Sequence, residues 1–215
     1  MGQAIAASVE QHEAYTLAGV WRRGADLDAL VNAADVVVDF SLPEASSQII
    51  DAVVRHQKPL VCGVTGLSPA GMATLDEAAT RIPLVFDRNM SLGIAVLLQS
   101  VRKAAASLGP EFSVEVFDVH HIHKKDAPSG TALQLGQAIA ESRGESDTGT
   151  VRFESERRGE VPGDHQVIMR SATEMLTFAH SVATRQVFVD GALRAAKWVV
   201  GRSPGRYSMQ DVLFG

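Results

Sequence analysis

Short apolar runs alternate with longer amphipathic stretches through the first half of the chain. Residues 36–40 (VVVDF), 60–62 and 84–86 are near-continuous apolar runs of strand length, and residues 16–21 read as a further strand. Between them, residues 3–13, 26–34, 44–56 and 68–80 carry helical spacing, with Ser41 or Pro43 placed to start the third helix. Strands apolar on both faces and separated by helices predict a parallel sheet covered on both sides. Near Asn89 the texture changes. A long helix over residues 92–108 leads through Gly109-Pro110 to an alternating, half-buried strand at 112–118, then a polar loop and a helix at 130–142. Residues 141–150 (ESRGESDTGT) are the most loop-like stretch, strands follow at 151–155, 165–170 and 175–180, and a helix at 185–200 precedes a Pro204-Gly205 turn and a short tail. Residues 157–165 read as a charged, hairpin-like connection. The second half is thus expected to be an α+β unit with an open mixed sheet.

Composition narrows the class further. Hydrophobic residues make up 46% and charged residues 21% of 215, which is too apolar for a disordered chain. A net charge of −5 gives no basic field to attract nucleic acid. Cys62 is the one cysteine and forms no internal disulfide, which suits a reducing cytoplasm. The longest apolar run, residues 94–98, is far short of the roughly 18 residues a membrane helix needs, and no signal peptide is evident.

The chemistry concentrates in residues 118–131, DVHHIHKKDAPSGT, where three histidines, two lysines and two aspartates lie between a predicted strand and a predicted helix. Gly130 and Thr131 open the helix, so their backbone N–H groups and its dipole can hold an anion, while Ser129 can cap it. His120 or Lys124 is placed to donate a proton, and Lys124, Lys125 and His121 add positive charge. The pattern fits a pocket for a small polyanion, such as a dicarboxylate, with a proton donor beside it. A solvated charged loop is the ordinary explanation of such a run; the coincidence of charge, proline and a Ser-Gly-Thr helix start weighs against it. Metal binding by His120, His121 and His123, and with it a metal hydrolase, is disfavoured. Adjacent residues of an extended segment point to opposite sides, and no cysteine or second carboxylate cluster supports them.

Gly63-Val64-Thr65-Gly66 follows a strand and precedes a helix, where ligands of parallel sheets usually lie, and Arg88-Asn89-Met90-Ser91 ends the next strand. Arg22 and Arg23 follow Trp21. In a dinucleotide fold arginine there would accept a ribose 2′-phosphate, whereas outside one the pair reads as a solvated turn.

These pieces together resemble one family. His120-His121-x-x-Lys124-x-Asp126-Ala127-Pro128-Ser129-Gly130-Thr131 closely resembles the signature of the 4-hydroxy-tetrahydrodipicolinate reductase family of the diaminopimelate–lysine pathway. Val38-Asp39-Phe40-Ser41-x-Pro43, Gly63-x-Thr65-Gly66, Asn89-Met90-Ser91-x-Gly93, Arg158-x-Glu160-x-Pro162-Gly163-x-His165 and Phe188…Gly191-Ala192…Ala195-Ala196-x-Trp198 match in order, so the resemblance covers nearly the whole chain.

The resemblance implies a Rossmann-like nucleotide domain, residues 1–90 with 182–215, and a substrate-binding and oligomerisation domain, residues 91–181, assembled as a homotetramer. It implies a cytoplasmic enzyme that passes hydride from NADPH, or NADH, to a cyclic dicarboxylate. His120 would be proton donor and acceptor and Lys124 a proton donor; His121 with the Gly130 and Thr131 amides would hold substrate carboxylate. Gly63, Val64 and Thr65 would contact the cofactor, as would Asp87, Arg88, Asn89 and Met90, with Arg22 at the ribose. Three departures accompany the match. Met1-Gly2 looks like the end of the family's Gly-Arg-Met-Gly loop, so the first strand is expected to be missing and an active form to need an upstream extension. The segment after Gly24 is short, and Trp21 stands where many relatives carry an acidic residue. A truncated, non-catalytic homologue that keeps only dicarboxylate binding or oligomer contacts is the alternative reading.

Overall fold

Two sheets organise the chain, which the computed structural model describes over residues 1–215, and each sheet belongs to its own unit: Met1–Leu92 with Gln186–Gly215, and Gly93–Arg185. The first stretch runs α1 (Gly2–Glu10), α2 (Leu27–Ala33), β1 (Val37–Asp39), α3 (Pro43–Arg55), β2 (Leu60–Cys62), α4 (Pro69–Ala79) and β3 (Pro83–Phe86). The middle runs α5 (Leu92–Leu108), β4 (Ser113–His120), α6 (Gly130–Ser142), β5 (Val151–Arg157), β6 (Asp164–Arg170) and β7 (Met175–His180). α7 (Gln186–Val199), β8 (Gly205–Tyr207) and α8 (Met209–Phe214) close the chain.

In the first unit the strands lie in the order β1-β2-β3-β8, all parallel. Alternation sends Leu60, Cys62, Leu84 and Phe86 into a core with Ile50, Val53 and Leu75 from α3 and α4. α7 packs on β1, β2 and β3, and with α1 it encloses a second cluster of Ile5, Val9, Val189 and Leu193. Local chemistry sets the helix starts. The Asp26 side chain accepts from Ala29 N, Ser68 caps α4 ahead of Pro69, and Ser208 and Asp211 form a reciprocal capping box on α8. The register sets Asp39 beside Cys62 and Cys62 beside Phe86, so the loops leaving β1, β2 and β3 emerge level at the carboxyl edge.

In the second unit the order is β5-β4-β6-β7; β4 and β5 are parallel and the remaining pairs antiparallel. α5 and α6 cover one face, where Val101, Leu135 and Ile139 meet Val114, Val116, Val167 and Met169.

Three expectations are corrected. Residues 16–21 form no strand, because nothing in the sheet pairs with them; Leu17 packs on the α1–α7 cluster while Val20 stays exposed. Residues 157–165 do not close a hairpin. β5 and β6 flank β4 on opposite sides, so their connection crosses the end of β4, where Arg158 N donates to His120 O at 2.8 Å and Ile122 N to Gly159 O at 3.1 Å. The tail after Pro204 is not a mere coil: β8 extends the parallel sheet beside β3, and α8 follows it.

α7 approaches the loop after β3 so closely that a Cβ on Gly191 would sit 1.7 Å from Met90 O. Alanine is favoured over glycine within a helix by about 1 kcal/mol, but a backbone overlap outweighs that gain. Gly191→Ala is expected to lower unfolding stability by about 2 kcal/mol or more in urea titrations; a variant as stable as wild type would show that α7 is free to move.

Candidate active site

β4 carries Asp118 and His120 two residues apart, hence on the same face, and the loop beyond it returns to open α6. Asp118 is 0% exposed and each of its oxygens takes two donors. Oδ1 lies 2.8 Å from His120 Nδ1 and 3.1 Å from Arg157 Nη1. Oδ2 accepts from the Ser129 amide at 3.2 Å and the Ser155 hydroxyl at 2.6 Å. Burial by itself would raise this carboxyl, but the hydrogen bonds from His120, Ser155 and Ser129 N outweigh it and hold the group well below the usual carboxylate range. An ionised carboxylate only accepts, so the proton between Asp118 and His120 resides on Nδ1. His120 Nε2 makes no hydrogen bond and faces Gly163, where a Cβ would lie 3.0 Å from it.

Arg157 also reaches the loop, donating from Nε to Lys124 O at 3.3 Å and from Nη2 to Asp126 O. Lys124 Nζ lies 2.8 Å from Asp126 Oδ1, with the two side chains 23% and 57% exposed. Burial pushes the Asp126 carboxyl upward, but its bond to Lys124 prevails and lowers it. The Ala127–Pro128 peptide is cis. Ser129 caps α6 by accepting from Ala132 N at 3.1 Å, and its hydroxyl lies 3.2 Å from His165 Nε2. Open space adjoins Gly130, where a Cβ would meet nothing within 4 Å. Burial, reinforced by the nearby His120, pushes the His165 imidazole down to about 4, and burial lowers His180 too.

A cavity of about 470 Å³ is lined by His121, His123, Glu160, Pro162 and Arg185. His121 is thus the one predicted substrate residue on its wall; His120, Lys124, Gly130 and Thr131 lie outside that lining. Arg185 escaped the sequence reading because it looked like the first residue of the last long helix. Glu160 and Pro162 stood inside a matched motif but were not singled out.

In the first unit, Gly63 N donates to Asp39 O at 2.9 Å, and the Phe40 ring occupies the space a Gly63 Cβ would need, 2.3 Å away. Asp39 ties down its own loop through Ser41 N at 2.8 Å and Ser46 Oγ at 3.0 Å. Asp87 accepts from Asn89 N and Met209 N, each at 3.3 Å, and Asn89 Oδ1 accepts from Ser91 N at 2.9 Å. The Val64 and Met90 side chains are buried in the core, so only their backbones are available to a ligand, whereas Thr65, Arg88 and Arg22 are exposed.

A parallel sheet whose loops emerge level at its carboxyl edge, together with a separate mixed-sheet unit carrying a polar cavity, defines a two-part, Rossmann-type α/β protein. Residues 1–90 match the family model described as "Dihydrodipicolinate reductase, N-terminus" and residues 93–213 the one described as "Dihydrodipicolinate reductase, C-terminus". The chain belongs to the dihydrodipicolinate reductase family. It is 40% identical to the 4-hydroxy-tetrahydrodipicolinate reductase of Zymomonas mobilis, over 99% of this chain and 92% of that one. The reductase of Alkalilimnicola ehrlichii is 43% identical, over 94% and 83%. The fold matches the dipicolinate-bound dihydrodipicolinate reductase of Paenisporosarcina sp. TG-14 with a TM-score of 0.82, at 21% identity and covering 97% and 93% of the two chains. Its family makes the first unit a nucleotide-binding domain, which implies a pyridine nucleotide cofactor. No helix is long and apolar enough to cross a membrane.

The depressed His165 has a consequence for stability. A buried imidazole that ionises near 4 rather than its ordinary 6.5 binds its proton more readily in the unfolded chain. Its contribution is complete above 6.5 and lost as the pH falls towards 4, whereas the Asp118 contribution is lost only below the ordinary 3.8. Unfolding free energy is expected to drop by on the order of 3 kcal/mol across that upper window, and His165→Gln to flatten the drop. A wild-type profile flat between those values would contradict the burial argument.

Proposed function

We propose that the chain reduces 4-hydroxy-tetrahydrodipicolinate to tetrahydrodipicolinate with NADPH, in the diaminopimelate route to lysine, as a cytoplasmic homotetramer. The observation that carries this reading is a cavity lined by His121, His123 and Arg185, with Glu160 on its wall, in the same unit as an imidazole whose Nδ1 is locked by a buried carboxylate. Relatives bearing the reductase name, matched over 92% and 83% of their own length, support it. The substrate class is a small dicarboxylate.

The first unit's loops fit a pyridine nucleotide. The α1 N-terminus has no side-chain cap, a Cβ at Gly2 would meet nothing within 4 Å, and Gly66 takes a left-handed turn at φ +78°. Amides of Gly63, Val64 and Thr65 and of the segment from Asp87 through Arg88 and Asn89 to Met90 are the groups we assign to it. Arg22 and Arg23 are assigned to a 2′-phosphate, because Trp21 offers no carboxylate to repel one. When bound, that cofactor supplies a hydride; the protein's own residues handle protons and carboxylates. The Lys124 ammonium delivers a proton to the ring as negative charge builds there, and His120 shares or positions that proton. His121 and Arg185, with the Gly130 and Thr131 amides at the α6 N-terminus, bind the carboxylates. Met175 and Leu176 on β7 are 54% and 41% exposed, and this apolar edge is where the proposal places contacts between copies.

Steady-state NADPH oxidation tests the division of labour. Lys124→Ala is expected to lower kcat by about 10²-fold or more, the size of a lost general acid. His121→Ala is expected to raise KM with kcat little changed, because it removes binding common to ground and transition states. Near-normal kcat in Lys124→Ala would overturn the proton-donor role. Unchanged KM with collapsed kcat in His121→Ala would exchange the two roles. Equal or better efficiency with NADH would sink the cofactor preference.

A further inference from the structure

The His120 imidazole is held by a residue that is itself wholly buried. We propose that Asp118 is a positioning residue, which fixes the His120 imidazole with Nε2 as its working nitrogen and couples that ring to the Lys124 loop and the α6 N-terminus. The inference rests on the reading of His120 as a proton-handling group.

Four donors converge on this one carboxylate from separate stretches of chain. His120 follows it on β4, Ser155 and Arg157 come from the neighbouring β5, and Ser129 N opens α6. Because the carboxylate accepts only, His120 Nδ1 carries hydrogen, so Nε2 is the nitrogen left to gain or give a proton. The glycine at position 163 leaves that nitrogen uncovered, since any side chain there would begin 3.0 Å away. Arg157 extends the arrangement, pairing with Asp118 while donating to the carbonyls of Lys124 and Asp126. The ring therefore faces Asp118 at Nδ1, with Arg157 behind that carboxylate on the same Oδ1 and His165 edge-on to the ring at 5.2 Å between centroids.

An amide cannot reproduce this arrangement. In Asp118→Asn the single acceptor oxygen can serve His120 and Arg157 or Ser129 N and Ser155, not both pairs. If the amide nitrogen turns to His120, it donates to Nδ1 and moves the ring proton to Nε2. In carboxylate–imidazole pairs that inversion costs up to about 10⁴-fold in kcat with the geometry kept.

The test combines nitrogen NMR of histidine-labelled full-length protein with steady-state kinetics. Wild type is expected to show His120 with hydrogen on Nδ1, in a slowly exchanging resonance. Asp118→Asn is expected to lose that resonance and to lower kcat by about 10²-fold or more, with KM for the dicarboxylate moving less than about 5-fold. Asp118→Glu is expected to recover part of kcat and the Nδ1 signal together. A wild-type ring protonated on Nε2 overturns the inference, and this reading needs no variant to fold. So does a folded Asp118→Asn that keeps kcat within about 5-fold, or one that loses kcat with the Nδ1 signal intact. His120→Gln separates the two levels: full activity in it would refute the proton-handling role of His120, whereas the wild-type spectrum reports the positioning independently.

Discussion

An ionised carboxylate removed from water costs several kcal/mol unless both its oxygens are fully paired, and then breaking the pairing costs a similar amount. Asp118 stands under that constraint. It lies in the middle of a sheet with no exposure, and the groups that satisfy it come from β4, β5 and the start of α6. Those elements cannot shift independently without leaving a buried charge short of donors. The same contacts that make the carboxylate tolerable therefore fix the imidazole, the arginine and the helix mouth relative to one another.

The nucleotide-binding unit solves an analogous problem with milder means. Its loops leave the sheet at one level because parallel register aligns the strand ends, and buried aspartates then pin the loops. Asp39 takes a backbone amide and a serine hydroxyl from the loop and helix after β1, and Asp87 joins the loop after β3 to the start of α8. Gly191 permits the other close approach, helix backbone against the Met90 carbonyl. Asp87, which reads in sequence as a cofactor contact, is thus occupied by the protein's own amides.

How much of this could be read from residues alone follows from what each signal measures. The helices from α3 to α6 and the strands β2 to β7 were legible, because apolar spacing, prolines at helix starts and serine caps are local signals. Residues 16–21 have the composition of a strand, but a strand exists only as half of a ladder, and the missing partner is a non-local fact. β8 failed for the opposite reason: three residues, Gly205–Tyr207, carry no periodicity, and only the edge of β3 makes them a strand. The signature loop was legible as chemistry because its residue types are dense. The roles of Ser155, Arg157 and His165 were not, since they reach Asp118 or Ser129 from positions whose sequence reads as ordinary strand or as a charged connection. Arg185 joined His121 only through tertiary folding.

The loop holds two pairs of like chemistry, imidazole with Asp118 and ammonium with Asp126, and their surroundings divide the work. Lys124 and Asp126 are only partly buried, at 23% and 57% side-chain exposure, where an ion pair contributes about 1 kcal/mol or less after screening. An ammonium held that loosely can leave its partner for a developing charge and return, which suits a proton carrier. The Asp118–His120 pair has 0% and 9% exposure, and its disruption strands a buried charge, a penalty of about 3–5 kcal/mol. A ring held that firmly cannot travel with a proton; it can only offer one nitrogen in one direction. The difference in solvent access is the physical ground for the proposed division, Lys124 for delivery and His120 for direction.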